Sequence, residues 1–293
     1  MTVFKGFEEI VREKVSLGPL TTFKIGGPAE YFLQPRTEEE LAAVLVRCGE
    51  EKLDVHVLGG GSNVLVPDEG VTGAVIQLEP KGFGGFAVVE GELVRAGASL
   101  GLPKLVRSAA EAHLSGVEPL VGIPGWVGGA VRMNAGGAWG DIGQVVERVQ
   151  VMDARGQVFW RDRDDLAFGY RRSNVAARFV LAAELRLAED DETRIAKFMK
   201  EIWFAKKNAQ PMSNRSAGCV FKNPRGMSAG ALIDQCGLKG TKIGGAIISR
   251  KHANYIVATA ETKAEDVKKL IELILDKVNE KFETVLELEL EIW

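Results

Sequence analysis

The chain has little cysteine: Cys48, Cys219 and Cys236 are all there are among 293 residues. They are odd in number and lack metal-ligand spacing. This excludes a disulfide scaffold and a zinc module, predicts no metal, and favours a reducing, cytoplasmic setting. No apolar run is long enough to span a bilayer. The start, MTVFKGFEEI, lacks the basic region, apolar run and small-residue site of a signal peptide, so none is expected. Net charge is only −3, so nothing suggests a nucleic-acid surface. Internal repeats and low-complexity segments are also missing.

What the chain does have is glycine in unusual places. Residues 122–141, GIPGWVGGAVRMNAGGAWGD, hold seven glycines in twenty positions, with Ile123, Trp126, Val127, Ala130, Val131 and Met133 threaded between them. A flexible linker carries Ser and polar residues instead. Glycine in an apolar setting means close backbone approach, or conformations that a Cβ forbids. A second stretch, Leu58-Gly59-Gly60-Gly61-Ser62-Asn63-Val64, follows a predicted strand. It is neither a P-loop nor a GxGxxG fingerprint. By itself it reads equally as a tight turn. Together the two stretches point to a large bound cofactor.

The length predicts two or three compact units. A helix is expected from Thr37, its N-cap, to about Glu51, and a strand over Val55–Leu58. Hairpins are expected at Phe86–Glu90 with Leu93–Ala96 and at Val145–Met152 with Gln157–Trp160. Ser99 is the predicted cap of a helix reaching His113. Phe179–Leu187 reads as a strand, and Ala264–Phe282 as a long amphipathic helix. The strict Leu/Glu alternation of 285–293 predicts a terminal strand. The expected divisions are residues 1–72, 73–188 and 189–293.

Several residues invite chemistry, and each has a bland alternative. Glu287, Glu289 and Glu291 form either a solvated strand face or include a general acid. Cys219, beside Lys222 and Asn223, is either a small buried hydrophobe or a thiol that moves a proton near neutral pH. Arg171, after Tyr170, is a surface arginine or an oxyanion stabiliser. For His252 a structural hydrogen bond is the default. The residues alone reach an α/β protein with a large cofactor, and no named reaction.

Seven collinear segments carry a resemblance that goes further: TTFKIGGPAEYF (21–32), LGGGSNVLV (58–66), GIPGWVGGAVRMNAGGAWG (122–140), FGYRRS (168–173), AGCVFKNP (217–224), GLKGTKIGGAIISRKHANYIV (237–257) and LELELEI (286–292). In this order they resemble the UDP-N-acetylenolpyruvoylglucosamine reductase family over nearly the whole chain. The resemblance implies an α+β fold: a two-part FAD-binding unit of the vanillyl-alcohol-oxidase-like type and a C-terminal substrate domain. It implies non-covalent FAD, NADPH as reductant and a UDP-sugar substrate; the modest charge permits a monomer, which is the expected state. Hydride would pass from reduced FAD N5 to C3 of the enolpyruvyl group of UDP-N-acetylglucosamine enolpyruvate, and a proton to C2.

Carried onto this sequence, the family pattern makes Gly59, Gly60, Gly61, Ser62, Asn63, Ile123, Pro124, Gly125, Gly128, Gly129, Ala130 and Asn134 cofactor contacts. Tyr170, Lys222 and Asn223 would bind substrate. Arg171 and Glu289 would stabilise the enol-like intermediate, with Glu289 protonated through burial and negative neighbours. The family's proton-donating serine is replaced here by Cys219, a stronger acid that can give the same proton. Phe179–Leu187 follows the YR motif almost at once, so the chain is similar to the shorter type without the tyrosine-bearing insertion. A flavin oxidase of another substrate shares the first two units but lacks FKNP and the 237–257 segment. A non-catalytic flavin binder has no need of Arg171 and Glu289.

Overall fold

The computed structural model describes residues 3–293 and is mixed α and β throughout. The chain divides into two compact units. One comprises the segment ending at Glu13, Tyr31–Gly60 and Gly73–Ala205; the other comprises Lys14–Glu30, Gly61–Thr72 and Lys206–Trp293. The division falls inside the strands Val11–Ser16, Pro28–Leu33 and Val71–Ile76.

In the first unit the helix Glu38–Glu50 starts where its cap chemistry places it. The Thr37 hydroxyl accepts from the Glu40 amide at 3.2 Å. The capping box is only half made, because the Glu40 carboxylate turns to Arg36 instead. The helix buries Leu41, Val44, Leu45 and Cys48. It leads to Val55–Val57, which pairs in parallel with Val71–Ile76. That strand pair ends in the first glycine loop.

The two expected hairpins form. They are joined by Phe179–Arg186 into one antiparallel five-stranded sheet, in the order Val158–Asp162, Val146–Met152, Phe179–Arg186, Leu93–Gly97, Phe86–Glu90. Met152, Phe179 and Leu181 of this sheet join the core built on Leu41, Val44 and Ile76. Val149, Val151, Ala183 and Leu185 join a second core with Leu105, Val127 and Val131. Buried Glu184 sits on the sheet with its carboxylate held by Arg148 at 2.7 Å. An unpaired charge there would be costly.

The helix after Leu93–Gly97 does not begin at Ser99. It spans Leu102–Glu111 with Gly101 as N-cap and Pro103 in its first turn. Proline fixes φ where no backbone donor is needed, so Pro103 sets the start two residues later than a serine cap would. Ser99 is left buried, its hydroxyl without a hydrogen-bond partner.

The second unit is organised around Ala264–Phe282, which buries Val267, Leu270, Ile271, Ile274 and Val278. The Asp68 carboxylate accepts from the amides of Ala264 and Glu265 at the start of this helix. The core extends to Phe23, Ile25, Leu65, Phe221, Ile248, Leu286 and Leu290. The predicted terminal strand is a correction. Only Glu291–Ile292 is a strand, parallel to Val64–Leu65, and Leu288 separately bridges Phe221. The segment changes partner along its length, so no single ladder runs from 285 to 293. Its alternation still sorts burial, with Leu286 and Leu290 inside and Glu287 and Glu291 exposed.

Candidate active site

In the first unit, strand geometry delivers Leu58 and Gly59 to the foot of the loop. The Gln77 side chain donates to the Gly59 carbonyl at 2.9 Å and accepts from Gln34 at 3.3 Å. A methyl group on Gly60 would lie 3.0 Å from Gly125 Cα and 3.1 Å from the Trp126 ring. The two glycine stretches, 65 residues apart by subtraction of these two numbers, therefore touch here. The second stretch is pinned to the 98–102 segment by the amides of Val127, Gly128 and Leu102, at 2.8–2.9 Å. It then forms the short helix Val127–Met133.

Gly59 and Gly129 are different from the glycines around them. Neither lies in the left-handed region, and a Cβ on either meets nothing within 4 Å. Gly129 is inside a helix, where alanine is favoured by up to about 1 kcal/mol. The protein's own packing gives no reason for glycine at either position. Both face open space, where bare backbone is accessible to a flat group that a Cβ would obstruct. Buried Glu118, just upstream, accepts from Gly116 through Oε2 at 2.7 Å, while its Oε1 has no partner. With Ser99 this makes two orphaned polar atoms flanking the same segment. Ile123 is half-buried, Pro124 exposed and Ala130 buried.

Asn134 ends that short helix in the left-handed conformation, φ 46°. Its side chain is a bracket. Oδ1 accepts from the Gly143 amide at 2.9 Å, and Nδ2 donates to the Gly169 carbonyl at 3.0 Å. Gly169 belongs to a tight hairpin, Phe168–Gly169 with Arg172–Ser173, whose turn is Tyr170-Arg171. Arg171 has φ 54°, a costly place for an arginine, and its guanidinium lies 5.2 Å from the Tyr170 ring centre. Such outliers concentrate at functional sites. Tyr170 is exposed and Arg171 half-buried.

In the second unit Gly61 is required by geometry, since its φ is 63° and a Cβ would sit 2.2 Å from the Leu20 carbonyl. Ser62 and Asn63 are half-buried. Asn63 Nδ2 donates to the Glu289 carbonyl at 2.8 Å, and its own carbonyl accepts from the Glu291 amide at 3.1 Å. The Glu289 amide donates to the Val220 carbonyl at 2.8 Å, and the Lys222 amide to Glu287 at 2.8 Å. Loop 61–63, the Cys219–Lys222 segment and the Glu289 segment are thus one hydrogen-bonded assembly. Among the three terminal glutamates Glu289 is half-buried, whereas Glu287 and Glu291 are exposed. Glu287 pairs with the Lys222 ammonium. Asn223 caps the helix Ala229–Gln235 by accepting from the Ala229 amide at 3.0 Å.

Cys219 is half-buried. Cys48 is buried, which pushes its thiol up to about 11. His252 is held below the usual imidazole range by burial and then by Lys239, and its Nδ1 accepts from the Asn254 amide at 3.3 Å. This agrees with the structural role expected for it. Sequence reasoning missed Gln77, Glu118 and Asn254. A buried polar residue bonded to backbone leaves no periodic trace.

Residues 210–293 match the family described as UDP-N-acetylenolpyruvoylglucosamine reductase, C-terminal domain, and residues 29–161 match FAD binding domain. The UDP-N-acetylenolpyruvoylglucosamine reductase of Caldicellulosiruptor bescii is 42% identical over 279 residues, 94% of this chain and 88% of that one. The crystal structure of UDP-N-acetylenolpyruvylglucosamine reductase from Thermus caldophilus covers 97% of this chain and 99% of its own, with a TM-score of 0.84 and 41% identity. A cholesterol oxidase from Brevibacterium sterolicum covers 64% of this chain and 40% of its own, with a TM-score of 0.51 and 14% identity, a likeness of fold alone.

Proposed function

Because the chain belongs to the UDP-N-acetylenolpyruvoylglucosamine reductase family, an FAD-dependent oxidoreductase family of peptidoglycan precursor synthesis, we propose that it reduces the enolpyruvyl group of UDP-N-acetylglucosamine enolpyruvate to UDP-N-acetylmuramate with NADPH. Its fold is the FAD-binding one shared with vanillyl-alcohol-oxidase-like enzymes, followed by the family's C-terminal domain. The observation that carries the reading is the hydrogen-bonded assembly of loop 61–63, Cys219–Lys222 and Glu289, in which three separate motifs meet.

Gly59, Gly60, Gly125, Gly128 and Gly129 hold FAD against backbone, with Gly61, Ser62, Asn63, Ile123, Pro124 and Ala130 around it. Asn134 serves through its main chain, since its amide holds the hairpin. When bound and reduced by NADPH, FAD supplies hydride to C3 of the substrate. Cys219 delivers a proton from Sγ to C2. Arg171 and Glu289 stabilise the charge that develops at C2 and its carboxylate. Tyr170, Lys222 and Asn223 orient the UDP-sugar. We keep 1–72, 73–188 and 189–293 as three working divisions. No described helix is long and apolar enough to cross a membrane. We place the protein in the cytoplasm as a monomer, which size-exclusion chromatography with light scattering tests.

The deciding experiment is anaerobic stopped-flow on the purified holoprotein. NADPH bleaches the flavin, and addition of UDP-N-acetylglucosamine enolpyruvate restores its colour. Bleaching without recovery removes the proposed substrate. Gly129→Ala gives a second check. Alanine raises helix propensity, so the apoprotein gains roughly 0.5–1 kcal/mol of stability, yet FAD binding weakens. Calorimetric titration of apoprotein with FAD and a thermal melt read the two effects. Unchanged FAD affinity would remove Gly129 from the cofactor contacts.

A further inference from the structure

Asn254 lies in the turn between the strands Ala246–Ile248 and Ile256–Ala258, and is 2% exposed. Its side chain makes two hydrogen bonds, both to the backbone of one distant residue. Oδ1 accepts from the Phe221 amide at 2.9 Å and Nδ2 donates to the Phe221 carbonyl at 2.8 Å. Its carbonyl also accepts from the Val220 amide at 2.9 Å. The carboxamide therefore stands where the peptide group of a neighbouring strand would stand. On the other edge of the same segment, Phe221 bridges Leu288, and the Val220 carbonyl receives the Glu289 and Leu290 amides at 2.8 and 3.2 Å. Two amides on one carbonyl mark an irregular pairing, which a plain ladder would not hold in place.

Asn254 is itself rigidly placed. The Ser249 amide donates to the Tyr255 carbonyl at 2.8 Å, and the Ser249 hydroxyl accepts from the Lys251 and His252 amides. Segment 219–222 is thus clamped between a fixed turn on one edge and the Glu289 segment on the other. We propose that Asn254 is a positioning residue for the proton-transfer step: its carboxamide, bonded to both polar groups of Phe221, fixes the backbone that carries Cys219 and aligns it with Glu289. It touches neither substrate nor cofactor in this role. The inference rests on the reductase reading given above.

The effect expected of losing the clamp is that of misplacing a reacting group by about 1 Å, which costs roughly 10²-fold in rate. In Asn254→Leu holoenzyme, flavin reduction by NADPH keeps its wild-type rate, and re-oxidation by UDP-N-acetylglucosamine enolpyruvate slows by about 10²-fold. The Phe221 amide, followed by hydrogen exchange and mass spectrometry of the 217–223 peptide, loses protection. Asn254→Asp is the second variant. Its carboxylate still accepts from the Phe221 amide but opposes the Phe221 carbonyl. Once protonated it donates again, so re-oxidation recovers as pH falls, relative to wild type at each pH.

Equal slowing of both half-reactions in the variants would mean a merely structural residue and would overturn the proposal. So would wild-type re-oxidation in Asn254→Leu, or in Asn254→Asp at neutral pH. If Asn254→Leu fails to fold, the pH profile of Asn254→Asp decides, and the absence of recovery counts against the clamp. Wild-type enzyme that is never re-oxidised by this substrate sinks the reductase reading instead, and exchange at Phe221 still reports whether Asn254 holds that backbone.

Discussion

Replacing Cys219 by alanine leaves NADPH reduction of the flavin intact and slows its substrate-dependent re-oxidation by about 10²-fold or more, the range over which general acids act. The argument is chemical. In the proposed reaction, hydride arriving at C3 leaves charge at C2, and the product would form only when C2 takes a proton. Alanine has none to give. Cys219→Ser restores a donor and stays within about tenfold of wild type, a difference of roughly 1.4 kcal/mol in the barrier. The other cysteines do not substitute. Cys48 is buried with its thiol pushed up to about 11, and Cys236 points its sulfur at the Lys277 carbonyl at 3.4 Å. Half-partial alkylation of Cys219 should produce the same split between half-reactions, and bound substrate should slow the alkylation. Loss of both half-reactions together in Cys219→Ala would show that the residue supports the site as a whole rather than the proton transfer.

The parts of this chain that were legible in its sequence are those whose signal is local and periodic. The Asp153–Gly156 turn and the alternation on both sides of it gave one hairpin, and the stripe Val267, Leu270, Ile271, Ile274, Val278 gave the long helix. Glycine density marked both loops. The order of strands in the five-stranded sheet was not legible, because Phe179–Arg186 pairs with strands on either side that lie far away in the chain. Ser99 failed as a cap because Pro103 fixes the helix start more strongly than a serine does.

The site residues divide in the same way. Motif matching nominated Cys219, Arg171 and Glu289, and Asn63 and Asn134 as cofactor contacts, but gave no sign of the backbone ties that asparagines make around them. Asn63, Asn134 and Asn254 each bond a backbone group far away in sequence. Side-chain-to-backbone ties of this kind depend on tertiary placement and have no fixed spacing. Asn134 alone left a hint, as a left-handed residue after the last helical position, a place that asparagine tolerates. The contrast between Gly61, demanded by its φ, and Gly59, demanded by nothing within the protein, also needed coordinates.

Glu289→Gln is expected to slow flavin re-oxidation by about 10²–10³-fold, the usual loss when one group facing developing charge is altered. NADPH reduction should be little changed. The sequence offers three equivalent glutamates on one face of an ideal strand. The structure breaks that equivalence, because the segment leaves Phe221 after Leu288 and joins Val64–Leu65 at Glu291. Glu289 falls at the crossover. Its amide is tied to Val220 and its carbonyl to Asn63, and it alone of the three is half-buried. Backbone bonds on both sides, to Val220 and to Asn63, fix where its side chain leaves the chain. Glutamine keeps the size and the hydrogen-bonding atoms but carries no titratable proton. The other two glutamates make informative comparisons. Glu291→Gln removes an exposed charge whose backbone bonds remain, so both half-reactions stay near wild type. Glu287→Gln breaks the ion pair with Lys222, so its effect falls on KM for the UDP-sugar rather than on kcat. If Glu291→Gln slowed re-oxidation as much as Glu289→Gln, the role would belong to the acidic tail as a whole, and the placement at residue 289 would be wrong.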